Sequence, residues 1–134
     1  MIPAQASLLD VNVLIAFGVR QHNFHFRASS WVRSGRFSSL FTCAITELDF
    51  VRIVAQTPPH GLNVIQAKTL LDSIKNWPSL PMRLLHDDQS VSNLPAWVKV
   101  AGQATDGHLL QLASAHGAIL ATFDARIPGA FLIP

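Results

Sequence analysis

Ser7-Leu8-Leu9-Asp10-Val11-Asn12-Val13-Leu14-Ile15-Ala16-Phe17 is an apolar stretch broken only by one acid and one amide. The run up to Asp10 reads as a short strand, and the residues after it continue as a helix with no intervening loop. A strand apolar at consecutive positions is buried on both faces, which is the habit of parallel sheets with helices above and below. The polar pair Asp10 and Asn12 then falls at the carboxyl end of that strand. This one stretch predicts both the fold class and the edge of the sheet where chemistry belongs.

The same alternation continues along the chain. Phe24, Ala28, Trp31 and Val32 stand at helical spacing within residues 22–35, and Gly35 suits a helix end. Residues 39–43 read as a second strand. A helix over residues 46–54 follows, stopped by Thr57-Pro58-Pro59 and Gly61. Val64, Ala67, Leu70, Leu71 and Ile74 form a helical stripe that ends before Trp77-Pro78. Residues 82–86, entered from Pro81, make a third strand. A polar stretch over residues 87–93 leads to a short helix around residues 96–101. Thr105 is placed to cap a helix bearing Leu109, Leu112, Ala113 and His116, closed by Gly117. Residues 118–123 form a fourth strand ending at Asp124, and Phe131-Leu132-Ile133 a short fifth. The expectation is one α/β domain over residues 1–134, with a central parallel sheet of four or five strands and helices on both faces.

Composition narrows the function classes. The chain has 134 residues, 49% hydrophobic and only 13% charged, with a mean hydropathy of +0.31. Such a chain buries a large core and is not disordered. No apolar run approaches the roughly 18 residues of a membrane span, and the start lacks the pattern of a secretion signal. The single cysteine, Cys43, makes no internal disulfide. A cytoplasmic protein is expected. Ten basic against eight acidic residues permits a nucleic-acid partner without demanding one. So low a charge also suggests that part of the surface is covered by self-association or a partner.

With only eight acids, their placement carries information. Asp10 ends the first strand, Glu47 follows the second, Asp124 ends the fourth, and Asp106 opens the helix before it. In open α/β sheets ligands bind outside the carboxyl ends of the strands. Carboxylates gathered there repel one another by about 4 kcal/mol per pair at 4 Å and an effective dielectric near 20. A divalent cation relieves that repulsion, and all-oxygen ligation favours Mg²⁺ or Mn²⁺ over zinc. Such a cation binds a phosphate oxygen and activates water, which points to phosphodiester hydrolysis. Each acid taken singly is also explained as a helix cap or a dipole partner; the joint pattern is harder to explain that way.

Three segments carry a resemblance to a known family. They are residues 8–16, Thr46-Glu47-Leu48-Asp49-Phe50-Val51-Arg52, and Thr105-Asp106-Gly107-His108-Leu109 running on to Leu120-Ala121-Thr122-Phe123-Asp124. In the order and spacing of its acids the sequence resembles the PIN-domain family, specifically the VapC-type toxins of bacterial toxin–antitoxin pairs. The resemblance implies a small three-layer α/β/α sandwich and an endoribonuclease using Mg²⁺ or Mn²⁺. Asp10, Glu47, Asp106 and Asp124 match the family's acidic metal-site residues. Asn12, Thr46, Thr105 and Thr122 become candidates for orienting the carboxylates or the water around the ion. A homodimer, held in check by a VapB-like antitoxin, is also implied. The sequence departs from the family at Gly107, where alanine is common.

Other residues have plainer readings. Arg126 and Arg52 lie near metal-site acids and are candidate contacts to RNA phosphates, as are Arg20, Arg27, Arg33 and Arg36 if they are not an ordinary solvated face. His22 and His25 lack a third ligand for a metal, and His108 and His116 are expected to pack or hydrogen-bond on their helix. Asp87 and Asp88 read as a solvated loop, and Asp72 as a helix-surface charge. Asp49 reads the same way, with a fallback role as a ligand. Trp31, Trp77 and Trp97 are better placed in core or dimer packing than as base-stacking platforms. Residues 57–93 are expected to shape substrate choice.

Two rival classes remain. A phosphatase or receiver domain would want acids one residue apart or a lysine at a late strand end; Asp10-Val11-Asn12 and the lack of lysine beyond Lys99 oppose both. A non-catalytic interaction module of the same architecture would fail to bind Mg²⁺ or Mn²⁺.

Overall fold

The computed structural model describes residues 5–35, 39–56, 61–79 and 81–134. The first strand, β1, spans Ala6–Leu9, and α1 follows over Val11–Gly18 with Asp10 as its N-cap. Then come α2 (His25–Ser34), β2 (Ser39–Cys43), α3 (Ala44–Gln56) and α4 (Val64–Lys75). After β3 (Met82–Leu85), two short 3₁₀ turns at Val91–Asn93 and Ala101–Gln103 lead into α5 (Ala104–Ala115). β4 (Ile119–Thr122) and β5 (Phe131–Leu132) complete the order.

All five strands pair in parallel, in the order β3-β2-β1-β4-β5. Leu8 lies between Phe41 on one side and Leu120 on the other. The chain adds strands to one side of β1, then returns to add β4 and β5 on the other. The order therefore reverses between β1 and β4, and at such a reversal the strand ends open a crevice.

Alternation along each strand divides the core into two layers. Leu9, Leu40, Met82 and Ala121 face a cluster with Val13, Leu14, Trp31, Val32, Phe50, Val54, Leu71 and Ile74, contributed by α1 to α4. Leu8, Cys43, Leu85 and Leu120 face the opposite layer with Leu109, Leu112 and Ala113 of α5, and Trp97 packs against it. The result is an α/β/α sandwich with unequal layers. Phe50 is fully buried, and truncation of such a side chain to alanine typically costs about 3–5 kcal/mol.

Helix ends follow local chemistry. Gly35 closes α2 at φ 67, and Gly117 follows α5 at φ 70, conformations that a side chain disfavours. Asn63 and Gln66 form a reciprocal capping box on α4. Two expectations need correction. No helix forms around residues 96–101; turns and the Ala101–Gln103 3₁₀ segment stand there. Thr105 does not cap α5, because that 3₁₀ turn feeds directly into the helix and Gln103 is its boundary residue. The Thr57-Pro58-Pro59 stop lies outside the described residues.

Candidate active site

Asp10 is fixed by both elements it joins. Its backbone is extended at φ −63 and ψ 155, while its side chain accepts from the Val11 N–H at 2.8 Å, satisfying a free donor of α1. Its other oxygen accepts from the Thr122 hydroxyl at 2.8 Å. The residue is only 5% exposed. Burial pushes the carboxyl above its ordinary pKa; Thr122 and Val11 pull it back, and the charges of Asp124 and Asp49 push it up again.

Asp106 lies in the first turn of α5. Because α5 precedes a parallel strand, that turn sits at the carboxyl edge of the sheet. Burial raises its pKa first, and the charges of Asp10 and Asp124 add to the rise. Asp124 follows β4, with its N–H donating to the Thr122 hydroxyl oxygen at 3.0 Å. Arg126 forks onto Asp124, Nε to Oδ1 and Nη2 to Oδ2, each at 2.9 Å. Those hydrogen bonds hold the Asp124 carboxyl below the usual range. Asp10, Asp106 and Asp124, from three separate elements, thus stand within reach of one another's charge.

Glu47 is engaged differently. It lies in the first turn of α3, where the helix dipole favours an anion. The Thr42 hydroxyl of β2 donates to its Oε2, and Lys75 Nζ lies 2.7 Å from the same oxygen. The carboxylates that raise Asp10 are Asp124 and Asp49, and Asp49 is itself paired with Arg52 at 3.3 Å.

The neighbouring polar residues divide by what they touch. Thr122 bridges Asp10 and Asp124. Thr46 is buried and closes the β2–α3 corner: its hydroxyl accepts from the Cys43 N–H at 3.0 Å and donates to the Cys43 carbonyl at 3.1 Å. Thr105 is exposed in the first turn of α5. Asn12 Oδ1 is buried without a hydrogen-bond partner, an open acceptor two residues from Asp10.

Several partners escape a reading of the sequence. Lys75 and Thr42 reach Glu47 from other elements, with no local signal to announce them. Asp87 and Asp88 are exposed in the loop after β3, as expected, but each also has a histidine partner. Asp87 pairs with His108 at 2.5 Å and Asp88 with His116 at 3.2 Å, tying the segment after β3 to α5. Arg27 is not a free surface charge. It donates to the Ile133 carbonyl at 2.7 Å and lies over the rings of Phe24 and Phe123. Arg36 lies outside the described residues. His25 contacts the Ala16 carbonyl and the Ser29 hydroxyl. Trp31 is buried, Trp97 packs on the α5 layer, and Trp77 is exposed.

A family model described as PIN domain matches residues 7–130, a span that reaches every strand but the last and holds Asp10, Asp106 and Asp124. The chain belongs to the PIN-domain family. Among curated PIN-domain relatives, ribonuclease VapC38 of Mycobacterium tuberculosis is 34% identical over 125 residues, covering 90% of this chain and 86% of that protein. The solved structure of VapC20 from the same organism, titled a sarcin-ricin loop cleaving toxin, has a TM-score of 0.68 at 11% identity. That match spans 96% of this chain and 99% of the other. A VapBC2 structure from Rickettsia felis, bound to a DNA fragment from their promoter, has a TM-score of 0.61 at 14% identity. It covers 95% of this chain and 96% of that one. At such identities the two structures bear on the PIN fold alone.

The residues at the PIN-domain site suit a divalent cation. Among the described residues, no three histidine, cysteine, aspartate or glutamate side chains stand ready-made around one point. Two of the acids are instead turned onto Arg126 and Lys75. Yet the donors are all oxygen, which a hard cation prefers. Asp10 and Asp106 also carry a like-charge excess that a cation would relieve, and the Asn12 oxygen is free to accept a hydrogen bond.

Proposed function

We propose that this chain is an endoribonuclease that hydrolyses RNA phosphodiester bonds with a divalent cation, Mg²⁺ or Mn²⁺, and that a VapB-like antitoxin silences it. The observation that carries the reading is the meeting of Asp10, Asp106 and Asp124 from three elements at the sheet reversal, with Asp10 raised by burial and the charges of Asp124 and Asp49, and Asp106 by burial and the charges of Asp10 and Asp124. Ribonuclease relatives above 30% identity across most of the chain support the chemistry.

Asp10, Asp106 and Asp124 are the residues that would hold the ion; Glu47, held by Lys75 and Thr42, is the fourth acid proposed for the site. Bound there, the cation supplies charge neutralisation at the scissile phosphate and activation of water. The chain's own residues do the rest. Thr122 fixes the Asp10 rotamer and the Asp124 backbone together, so two carboxylates enter with little freedom left to lose. Asn12 offers a buried acceptor for water around the ion. Arg126, whose side chain is 90% exposed, can exchange its fork from Asp124 to an RNA phosphate of similar geometry. Arg52 is the second candidate phosphate contact. Water as the nucleophile needs no 2′ hydroxyl from the substrate, so the products should carry 5′ phosphate and 3′ hydroxyl ends. Direct ligation of the fragments tests this; 2′,3′-cyclic phosphate ends would overturn it.

The antitoxin reading is supported by the VapBC complex among the structures of the same fold. Growth of cells expressing this chain with and without its neighbouring open reading frame tests it, and equal growth counts against it. A homodimer belongs to the same proposal. Exposed Phe26, Val64, Ile65 and Val91 are apolar area that association could cover, and solution mass decides. Cytoplasmic residence fits the buried free Cys43. Among the described residues, no helix is long and apolar enough to cross a membrane.

A further inference from the structure

Phe24 is the N-cap residue of α2, a position where a serine, threonine or aspartate side chain would accept from the free N–H groups of the helix. A phenyl ring cannot accept there, and this one is 38% exposed. It stands instead against Phe123, with ring centroids 5.0 Å apart and planes tilted by 45°. The Arg27 guanidinium carbon lies 4.8 Å from the Phe24 centroid and 4.9 Å from that of Phe123. Arg27 is fixed in that place, since Nε donates to the Pro134 carbonyl at 3.2 Å and Nη2 to the Ile133 carbonyl at 2.7 Å. Phe123 packs on the core layer of α1 to α4 and anchors the pair from behind. An exposed aromatic cap residue, braced by a second ring and an immobilised cation, breaks the local rule for its position, and such departures gather at functional sites.

Its place in the fold decides what the ring meets. Phe123 is bonded to Asp124, whose N–H is held by the same Thr122 hydroxyl that binds Asp10. One peptide link and one 5.0 Å ring contact therefore separate Phe24 from an acid of the site. The pair offers a flat, electron-rich surface. With Nε and Nη2 of Arg27 spent on carbonyls, it offers little to a phosphate. What fits is a flat unsaturated ring, and unpaired RNA carries one on every nucleotide. We propose that Phe24, backed by Phe123 and Arg27, is a platform on which one base of the RNA stacks, next to the phosphate that is cut. Stacking reads planarity and not a hydrogen-bond pattern, so the platform favours unpaired RNA over a duplex and selects no particular base. The inference rests on the ribonuclease reading proposed above.

Fluorescence anisotropy of two labelled strands tests it, in an Asp10→Asn background that prevents cleavage. One strand is an unpaired RNA of mixed sequence, and the other an abasic ribose–phosphate chain of the same length. Phe24→Leu, which keeps apolar bulk and removes the ring, should lose about 5- to 150-fold in affinity for the RNA, the range of one base–aromatic stack. On the abasic strand it should match its parent. Phe24→Trp should bind the RNA at least as tightly as the parent does. The salt dependence should be the same in all three proteins, because a stacked ring releases no counter-ions. Melting curves show whether each variant is folded; if Phe24→Leu is not, Phe24→Met takes its place. A folded variant that binds RNA as its parent does, or that loses equally on both strands, would overturn the inference while leaving the ribonuclease reading standing. Unchanged RNA affinity with lost binding of the protein encoded by the neighbouring open reading frame would overturn it too, and make the ring part of a protein interface. A parent that binds neither strand would remove the RNA site and this inference with it.

Discussion

The Thr122 hydroxyl donates to Asp10 Oδ2 at 2.8 Å and accepts from the Asp124 N–H at 3.0 Å. One side chain on β4 therefore holds two acids that lie 114 positions apart in the sequence. Thr122 and Asp10 are both buried, so Asp10 has little water to fall back on. Thr122→Val keeps the shape and strands both groups, which should cost on the order of 1–3 kcal/mol. Thr122→Ser should retain most of the stability and the activity. Chemical denaturation of both variants checks this, and equal stability of Thr122→Val and wild type would contradict it.

The pH dependence of the metal-free protein should have an unusual sign. Folding raises Asp10 and Asp106 above their ordinary carboxylate value, so the folded state holds their protons more tightly than the unfolded chain does. Their contribution to stability is therefore favourable at low pH and is lost as pH rises through the raised folded values. Asp124 is lowered and acts in the opposite sense, losing its contribution as pH falls through its depressed value. Mn²⁺ binds the ionised forms. The gain in melting temperature on adding Mn²⁺ should thus be large at neutral pH and vanish toward mild acid, and Asp106→Asn should abolish the gain while stabilising the metal-free protein at neutral pH. A gain independent of pH would count against this site.

Arg126 should contribute in two directions at once. Removing it frees both oxygens of Asp124, so Arg126→Ala should bind Mn²⁺ more tightly. If its guanidinium also meets an RNA phosphate, the same variant should bind RNA less tightly, with a salt dependence shallower by about one charge. RNA affinity across salt concentrations, measured in an Asp10→Asn background to prevent cleavage, checks the second effect. An unchanged slope would confine Arg126 to its contact with Asp124.

Gly107 follows Asp106 in α5, and a methyl group there would collide with Val98 Cγ2 and meet Pro95 Cδ at 3.4 Å. Val98 fills the space that an alanine would take. Gly107→Ala should gain about 1 kcal/mol of helix propensity yet lose more through overpacking against a stiff β-branched side chain, on the order of 1–3 kcal/mol. Adding Val98→Ala should rescue it, leaving the double variant more stable than the separate effects sum to. Additive effects would show that the two residues do not share this space.

Much of this was legible in the sequence. Residues 7–17 placed a buried strand and a helix around Asp10 because their apolar pattern has no competing period, and the strand–helix alternation carried the parallel sheet. The short β5 was legible too, as an apolar triplet near the end. The residues around 96–101 misled, because Pro95 and Gly102 flank the segment and six residues are too few for a helix to sustain itself. Thr105 misled because a preceding 3₁₀ turn satisfied the helix start without it. Asp10, Asp106 and Asp124 were singled out by their order along the chain, and they stand within reach of one another's charge; Glu47, singled out with them, is held instead by Lys75 and Thr42. Their partners, Lys75 on Glu47 and Arg126 on Asp124, depend on how α3, α4 and the segment after β4 come together. Long-range pairs such as Asp87 with His108 leave no periodic trace.

Cleavage of RNA by the purified protein tests the central claim most directly, measured with Mn²⁺ or Mg²⁺, with EDTA, and with an Asp10→Asn variant whose folding is verified by its melting curve. Cleavage with the cation that disappears in EDTA and in Asp10→Asn is the expected result. Cleavage that persists in EDTA, or in folded Asp10→Asn, would contradict a metal centre built on Asp10.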